Sequence, residues 1–128
     1  MVAYNFQKQF ADAVERGEKR QTIRAPRRDG RHAKVGDKLQ LYTGMRTKQC
    51  RKLRDAVCHD VCRVVIQRDQ IWTYQPQEVH YKPEALDAFA KADGFECWAA
   101  MRDWFDSQHG LPFTGVMIRW LVPPEDRK

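Results

Sequence analysis

The sequence predicts a single α+β domain in which a mixed β-sheet is flanked by about three helices. Three segments carry apolar residues at helical spacing, over residues 5–16, 83–92 and 94–109. Several other segments alternate between apolar and polar residues, as strands with one buried face do. A length of 128 residues supports one core with little room for a second, so one domain over residues 1–128 is expected.

The first predicted element is a helix over residues 5–16. Phe6, Phe10 and Val14 recur at a spacing of four and form one apolar stripe. Gly17 would end this helix, because glycine adopts the left-handed backbone conformation at little cost. The residues that follow Gly17 would therefore be held in a fixed place.

A short strand is predicted next, over residues 21–24. Successive side chains of a strand point to opposite faces, so Thr22 and Arg24 would share one face. With Lys19 just before the strand, an amine, a hydroxyl and a guanidinium lie close together in the chain. These groups suit a binding or catalytic site, and an ordinary edge strand with solvated charges would carry the same pattern.

The middle of the chain is predicted to form further strands. A basic, turn-rich loop covers residues 26–32, and a tight turn at residues 34–37 leads into the next strand. Gly44 interrupts the alternation and is followed by the basic segment 45–54. Strands are expected over Lys38–Thr43, Val57–Ile66, Ile71–Tyr74 and Val79–Tyr81.

The C-terminal part is predicted to contain two helices and a last strand. Pro83 suits the first turn of a helix. Asp93 would be the N-cap of the next helix, with Glu96 at its third position as in a capping box. The last strand is expected over residues 113–122, and the polar tail 123–128 is expected to fray.

Charge is distributed unevenly along the chain. Residues 16–54 hold 14 Lys and Arg against 3 acidic residues, whereas the remainder holds 9 against 14. This polarity favours a basic face for a polyanion, although a basic stretch is also the commonest kind of solvated surface. No apolar run is long enough to span a bilayer and the N-terminus lacks a signal-peptide layout, so we expect a cytoplasmic protein without membrane contact.

The four cysteines are expected to remain reduced thiols. Cys58 and Cys62, with His59 between them, invite a metal interpretation. The strand alternation, however, places both thiols on one face and His59 on the other, and no second ligand pair has zinc-site spacing. Buried thiols in a sheet are the favoured interpretation, and neither a metal nor a cofactor is expected.

Two motifs resemble those of the ASCH domain, a member of the PUA-like superfamily. Residues 17–24 follow the pattern Gly-x-Lys-x-x-Thr-x-Arg, and residues 34–39 read Lys-Val-Gly-Asp-Lys-Leu. The run over residues 41–53 is similar to ASCH proteins encoded by phages and prophages. The resemblance implies a PUA-like mixed β-barrel, and it covers the first half of the chain better than the second.

The resemblance implies an RNA-binding or modified-nucleotide-binding domain. In this interpretation basic side chains of a cleft contact phosphate and an aromatic ring stacks on a base. The residues concerned are Arg24, Tyr42, Arg46, Lys48 and Lys52. Ribonuclease activity, or binding of a host protein through the basic surface, are alternatives, and the oligomeric state is left open.

One branch of the same superfamily hydrolyses the amide of N4-acetylcytidine. The resemblance carries its lysine to Lys19, its threonine to Thr22 and its acidic residue to Asp93, where the family has a glutamate. A threonine hydroxyl needs a base, and lysine serves as one only when desolvation or nearby positive charge lowers its pKa. The basic surroundings of Lys19 would act in that direction, whereas an N-terminal helix position would favour the ionised form of Asp93.

Overall fold

The computed structural model describes residues 2–122, and the predicted tail 123–128 lies outside this part of the chain. Within residues 2–122 the chain forms a seven-stranded mixed sheet and three helices, which confirms the α+β class. None of these helices has both the length and the apolar character needed to cross a bilayer. The elements are β1 (Val2–Phe6), α1 (Lys8–Glu15), β2 (Gln21–Arg24), β3 (Lys38–Thr43), β4 (Arg51–Ile66), β5 (Ile71–Thr73), β6 (Glu78–His80), α2 (Pro83–Ala92), α3 (Trp98–His109) and β7 (Phe113–Leu121).

The centre of the sheet is β4, which begins at Arg51 rather than at the predicted Val57. Its first part pairs with β3 and its last part with β5, while β7 runs along its other edge. β7 pairs in turn with β2, and β5 with β6. β1 joins β3 in parallel, which makes the sheet mixed.

The sheet is not closed into a barrel, so that part of the fold prediction is wrong. Within residues 2–122, β1 and β2 are not paired with each other. Side chains bridge the gap between them. Arg24 Nη2 donates to the carbonyl of Asn5 at 2.6 Å, and Arg27 Nη2 donates to that of Ala3 at 3.3 Å. Guanidinium groups thus replace the N–H groups that a neighbouring strand would have supplied.

Side chains alternate along β7, and both faces of this strand contribute buried residues. Ile118 and Trp120 point to the face covered by α1, whereas Phe113 and Met117 point to the face covered by α2 and α3. Full burial of each large apolar side chain contributes about 1.5–3 kcal/mol, so packing on both faces stabilises the fold. The helices are consequently fixed relative to the strands that they cover.

A β-bulge at His59 overturns the prediction that Cys58 and Cys62 share one face. The register between β4 and β7 shifts there, so Cys58 lies opposite Trp120 and Cys62 opposite Met117. Those two partners belong to opposite faces of the sheet. The extra residue of a bulge reverses the alternation, which the sequence pattern alone does not reveal. In the described part of the chain all four cysteines are free, and no cluster of potential metal ligands occurs.

The N-terminal prediction is wrong for its first residues, because β1 precedes a shorter helix. Phe6 belongs to β1, and α1 starts only at Lys8. The side chains of Phe6, Phe10 and Val14 nevertheless pack in the same cluster. Their spacing of four therefore reflects a shared core across a strand and a helix, which imitates the period of a single helix.

Asp93 ends α2 rather than starting α3. The next residue, Gly94, adopts φ +94°, and the Phe95 N–H donates to the Ala90 carbonyl. These two features form a Schellman motif. α3 starts at Trp98, whose backbone N–H donates to the Asp87 carboxylate at 2.8 Å. The predicted capping box does not form, because this glycine stops one helix before the other begins.

Candidate functional site

A cavity of about 280 Å³ lies between β1 and β2, beneath the connection from α2 to α3 and the C-terminal end of α3. Five aromatic rings form much of its wall, and charged or polar side chains occupy the remainder. The rings are Phe6, Phe10, Phe95, Trp104 and Phe105; the polar side chains are Asn5, Gln7, Lys19, Thr22, Arg24, Asp93, Gln108 and His109.

Lys19 is held in this cavity by the way in which α1 ends. Gly17 adopts φ +79°, and the N–H groups of Glu18 and Lys19 both donate to the carbonyl of Ala13. The chain therefore turns back over the end of the helix and directs the Lys19 side chain inward, where it is 3% exposed. Its ammonium lies 5.1 Å from the centroid of the Phe10 ring, within cation–π range.

Asp93 is the anionic partner of Lys19. The Lys19 Nζ donates to the backbone carbonyl of Asp93 and lies 3.4 Å from its Oδ1. Oδ1 also accepts a hydrogen bond from Gln21 Nε2 at 3.3 Å. Gly94 makes this approach possible, because a Cβ there would lie 2.9 Å from Lys19 Cδ. The aspartate thus reaches the lysine despite being shorter than glutamate.

Burial shifts the pKa values of both partners in the directions that favour their uncharged forms. Desolvation lowers the pKa of Lys19, opposed by the charge of Asp93 and assisted by that of Arg24. Desolvation likewise raises the pKa of Asp93, opposed by Lys19, Gln21 and Arg24. The carbonyl-rich C-terminal end of α2 disfavours the carboxylate as well, which reverses the predicted effect of an N-terminal position. The pair is therefore suited to exchanging a proton.

Thr22 and Arg24 share one face of β2, as predicted. Arg24 Nε donates to Thr22 Oγ1 at 2.9 Å, and both side chains line the cavity. Burial lowers the pKa of Arg24 to about 10, so its guanidinium keeps its charge at neutral pH. Within residues 2–122 no hydrogen bond joins Thr22 to Lys19. The hydroxyl is thus polarised by Arg24 while the lysine is bonded to Asp93.

The other four predicted residues lie outside the cavity, on the basic hairpin (residues 42–52) that joins β3 to β4. Lys52 forms an ion pair with Asp55 at 2.8 Å. The hairpin contacts the rim of the cavity, because the Met45 N–H donates to Asn5 Oδ1 at 2.9 Å. The residues concerned are Tyr42, Arg46, Lys48 and Lys52, of which the three cations are exposed.

Sequence reasoning missed Gln21 and the residues that α3 contributes. Gln21 sits inside the motif over residues 17–24, yet its contact with Asp93 spans 72 residues of chain and leaves no local signal. Trp104 and Phe105 show helical spacing, which does not distinguish a cavity wall from an ordinary core. Gln108 and His109 reach the cavity only because α3 ends beside it.

No family model matches this chain, and no curated protein or solved structure matches it significantly.

Proposed function

We propose that this chain is an ASCH-type, PUA-like domain that binds a nucleotide of RNA or a modified nucleoside in the cavity. The observation that carries the proposal is the convergence of buried Lys19, Thr22 and Asp93, and of the partly buried Arg24, with aromatic rings around one half-open cavity. Three of these residues belong to the motif that resembles ASCH domains. The α+β architecture with a mixed sheet is compatible with that superfamily, although the sheet is open.

The size of the cavity favours a single nucleoside over a longer ligand. Its volume of about 280 Å³ is close to the lower end of small-ligand pockets, roughly 300–1,000 Å³. Aromatic walls suit the flat faces of a base, and the buried polar groups suit its hydrogen-bonding edge. An RNA strand would then continue outside the cavity along the basic hairpin.

We expect calorimetric titration to show that cytidine or N4-acetylcytidine competes with a short single-stranded RNA for one site. Thr22→Val should weaken nucleoside binding roughly two- to tenfold, because it removes one hydrogen bond from the cavity. Thr73→Val is the matched control, since Thr73 is also buried and lies in a different cleft. Equal affinity of both variants for nucleoside would contradict the assignment of the cavity.

The basic hairpin should contribute salt-dependent affinity for RNA alone. Replacing Arg46 and Lys48 with alanine is expected to flatten the plot of log affinity against log salt by about 0.7 for each lost phosphate contact. Nucleoside binding should not change. A charge-matched control is Arg68→Gln with Arg102→Gln, two arginines that do not line the cavity. The same slope in both double variants would place the phosphate contacts elsewhere.

A second candidate function is hydrolysis of an acylamide on a pyrimidine nucleoside. It is favoured by one observation: a lysine with a lowered pKa, an aspartate with a raised pKa and a threonine line the same cavity. Neutral Lys19, after turning from Asp93, would take the Thr22 proton as Oγ1 attacks the acyl carbon. Protonated Asp93 would donate to the departing amine, and water would then hydrolyse the acyl-threonine ester.

Acetate release from N4-acetylcytidine tests this candidate. Thr22→Val and Lys19→Met should each abolish turnover, because the first removes the nucleophile and the second the base. Thr73→Val should retain it. If wild-type protein at high concentration releases no acetate while still binding the nucleoside, the hydrolase candidate is wrong and the binding function stands.

A further inference from the structure

Gln21 lies on the side of the sheet opposite to Thr22, in a second cleft of about 550 Å³. That cleft lies between α2 and the hairpin of β5 and β6. The glutamine is only 6% exposed, and within the described residues it does not line the first cavity. Its Nε2 nevertheless donates to Asp93 Oδ1 at 3.3 Å. The side chain therefore connects the second cleft to a carboxyl group that lines the first cavity.

The carboxyl group of Asp93 is held from two directions. Lys19 Nζ approaches Oδ1 from the cavity side at 3.4 Å, and the Gln21 amide approaches the same oxygen from the second cleft. The charged groups that face this carboxyl are Lys19 and Arg24. Gln21 is the neutral donor of the set, and its hydrogen bond favours the ionised carboxylate. In a buried site such a bond has more influence than it would in water.

We propose that Gln21 is a positioning residue that holds Asp93 Oδ1 toward Lys19 and so sets where the proton of the pair resides. Holding the carboxyl group is a property of the folded chain alone. The effect of the Gln21 contact on ligand chemistry rests on the proposed function. Gln21 carries out this role without touching the ligand, because within the described residues it lines the second cleft and not the cavity.

The test is a titration of the Asp93 carboxyl carbon by NMR in wild type, Gln21→Met and Thr73→Val. Methionine keeps the length of glutamine and removes the donor. In Gln21→Met the titration midpoint of the Asp93 carboxyl should rise by on the order of one pH unit, which is an about tenfold increase in its proton affinity. Thr73→Val should leave the midpoint unchanged, because Thr73 lines the second cleft and bonds to His80.

A measurement on the unmodified protein keeps the proposal testable if Gln21→Met does not fold. The side-chain amide resonances of wild-type Gln21 should shift with the same midpoint as the Asp93 carboxyl, while those of the exposed Gln77 should not. An unchanged Asp93 midpoint in Gln21→Met, an equal shift in Thr73→Val, or a Gln21 amide that does not follow Asp93 would overturn the proposal. None of these readouts requires ligand, so failure of the proposed function would remain distinguishable.

Discussion

Replacing Asp93 with alanine is expected to lower the free energy of unfolding by about 3–5 kcal/mol, as measured by urea denaturation at pH 7. The substitution leaves the Lys19 ammonium buried without its anionic partner, and removal of one member of a buried ion pair carries a penalty of about that size. Both side chains are only 4% exposed, so solvent does not screen the loss. Adding Lys19→Met to this variant should recover part of the stability, because no charge is then left unpaired.

The control for this prediction is Asp106→Ala, which removes one partner of an exposed ion pair. Asp106 lies 3.5 Å from Arg68, and the two side chains are 40% and 69% exposed. Loss of this pair should cost no more than about 1 kcal/mol. A similar loss of unfolding free energy in Asp93→Ala and Asp106→Ala would show that Asp93 and Lys19 stabilise the fold no more than an exposed ion pair does.

The deficit of Asp93→Ala should also shrink as pH rises from 7 toward 10. Burial already lowers the pKa of Lys19 in the folded chain, and loss of Asp93 removes the charge that opposed this effect. Between the lowered folded pKa and the unfolded value of about 10.4, the unfolded chain binds more protons, so stability rises with pH. Comparison with the variant that also carries Lys19→Met isolates this dependence, since other titrating groups cancel.

Gly94→Ala is expected to destabilise the protein by about 2–5 kcal/mol. A left-handed conformation costs a residue with a Cβ roughly 1–2 kcal/mol, and overpacking adds about 1–3 kcal/mol. The overpacking arises because the new Cβ would lie 2.9 Å from Lys19 Cδ and 3.0 Å from Phe10 Cδ1. The same variant should lose nucleoside affinity, since the methyl group displaces Lys19.

Gly36→Ala is a matched control for this substitution. Gly36 has the same φ of +94°, and a Cβ at this position would have no heavy atom within 4 Å apart from those of its chain neighbours. Gly36→Ala should therefore show the cost of the left-handed backbone conformation without the cost of overpacking. If denaturant midpoints fall equally in the two variants, the close approach of Gly94 to Lys19 does not constrain the site.

Local sequence patterns predicted the parts of this fold that depend on neighbouring residues. The alternation in residues 38–43 and the proline at position 83 correctly located β3 and α2. The two-residue period also placed Thr22 and Arg24 on one face. In each case the determining contacts lie within a few residues along the chain, where propensity and periodicity apply.

Features that depend on distant parts of the chain were not predictable in this way. β1 is a strand only because β3 pairs with it, and the bulge at His59 is defined by its register with β7. Asp93 looked like an N-cap because acidic residues favour that position, yet the structure uses the following glycine to end a helix. The motif brought Lys19, Thr22 and Arg24 together, whereas Gln21 and the wall from α3 required the tertiary fold.

The arginine contacts across the gap between β1 and β2 have a consequence for behaviour at high concentration. An edge strand with bare carbonyl groups is a template for pairing with another copy of the chain, and such pairing initiates aggregation. At β1 the carbonyls of Ala3 and Asn5 already accept hydrogen bonds from Arg27 and Arg24. These guanidinium groups occupy the acceptors and add positive charge to the edge, so a second molecule meets electrostatic repulsion where it would otherwise find a free strand.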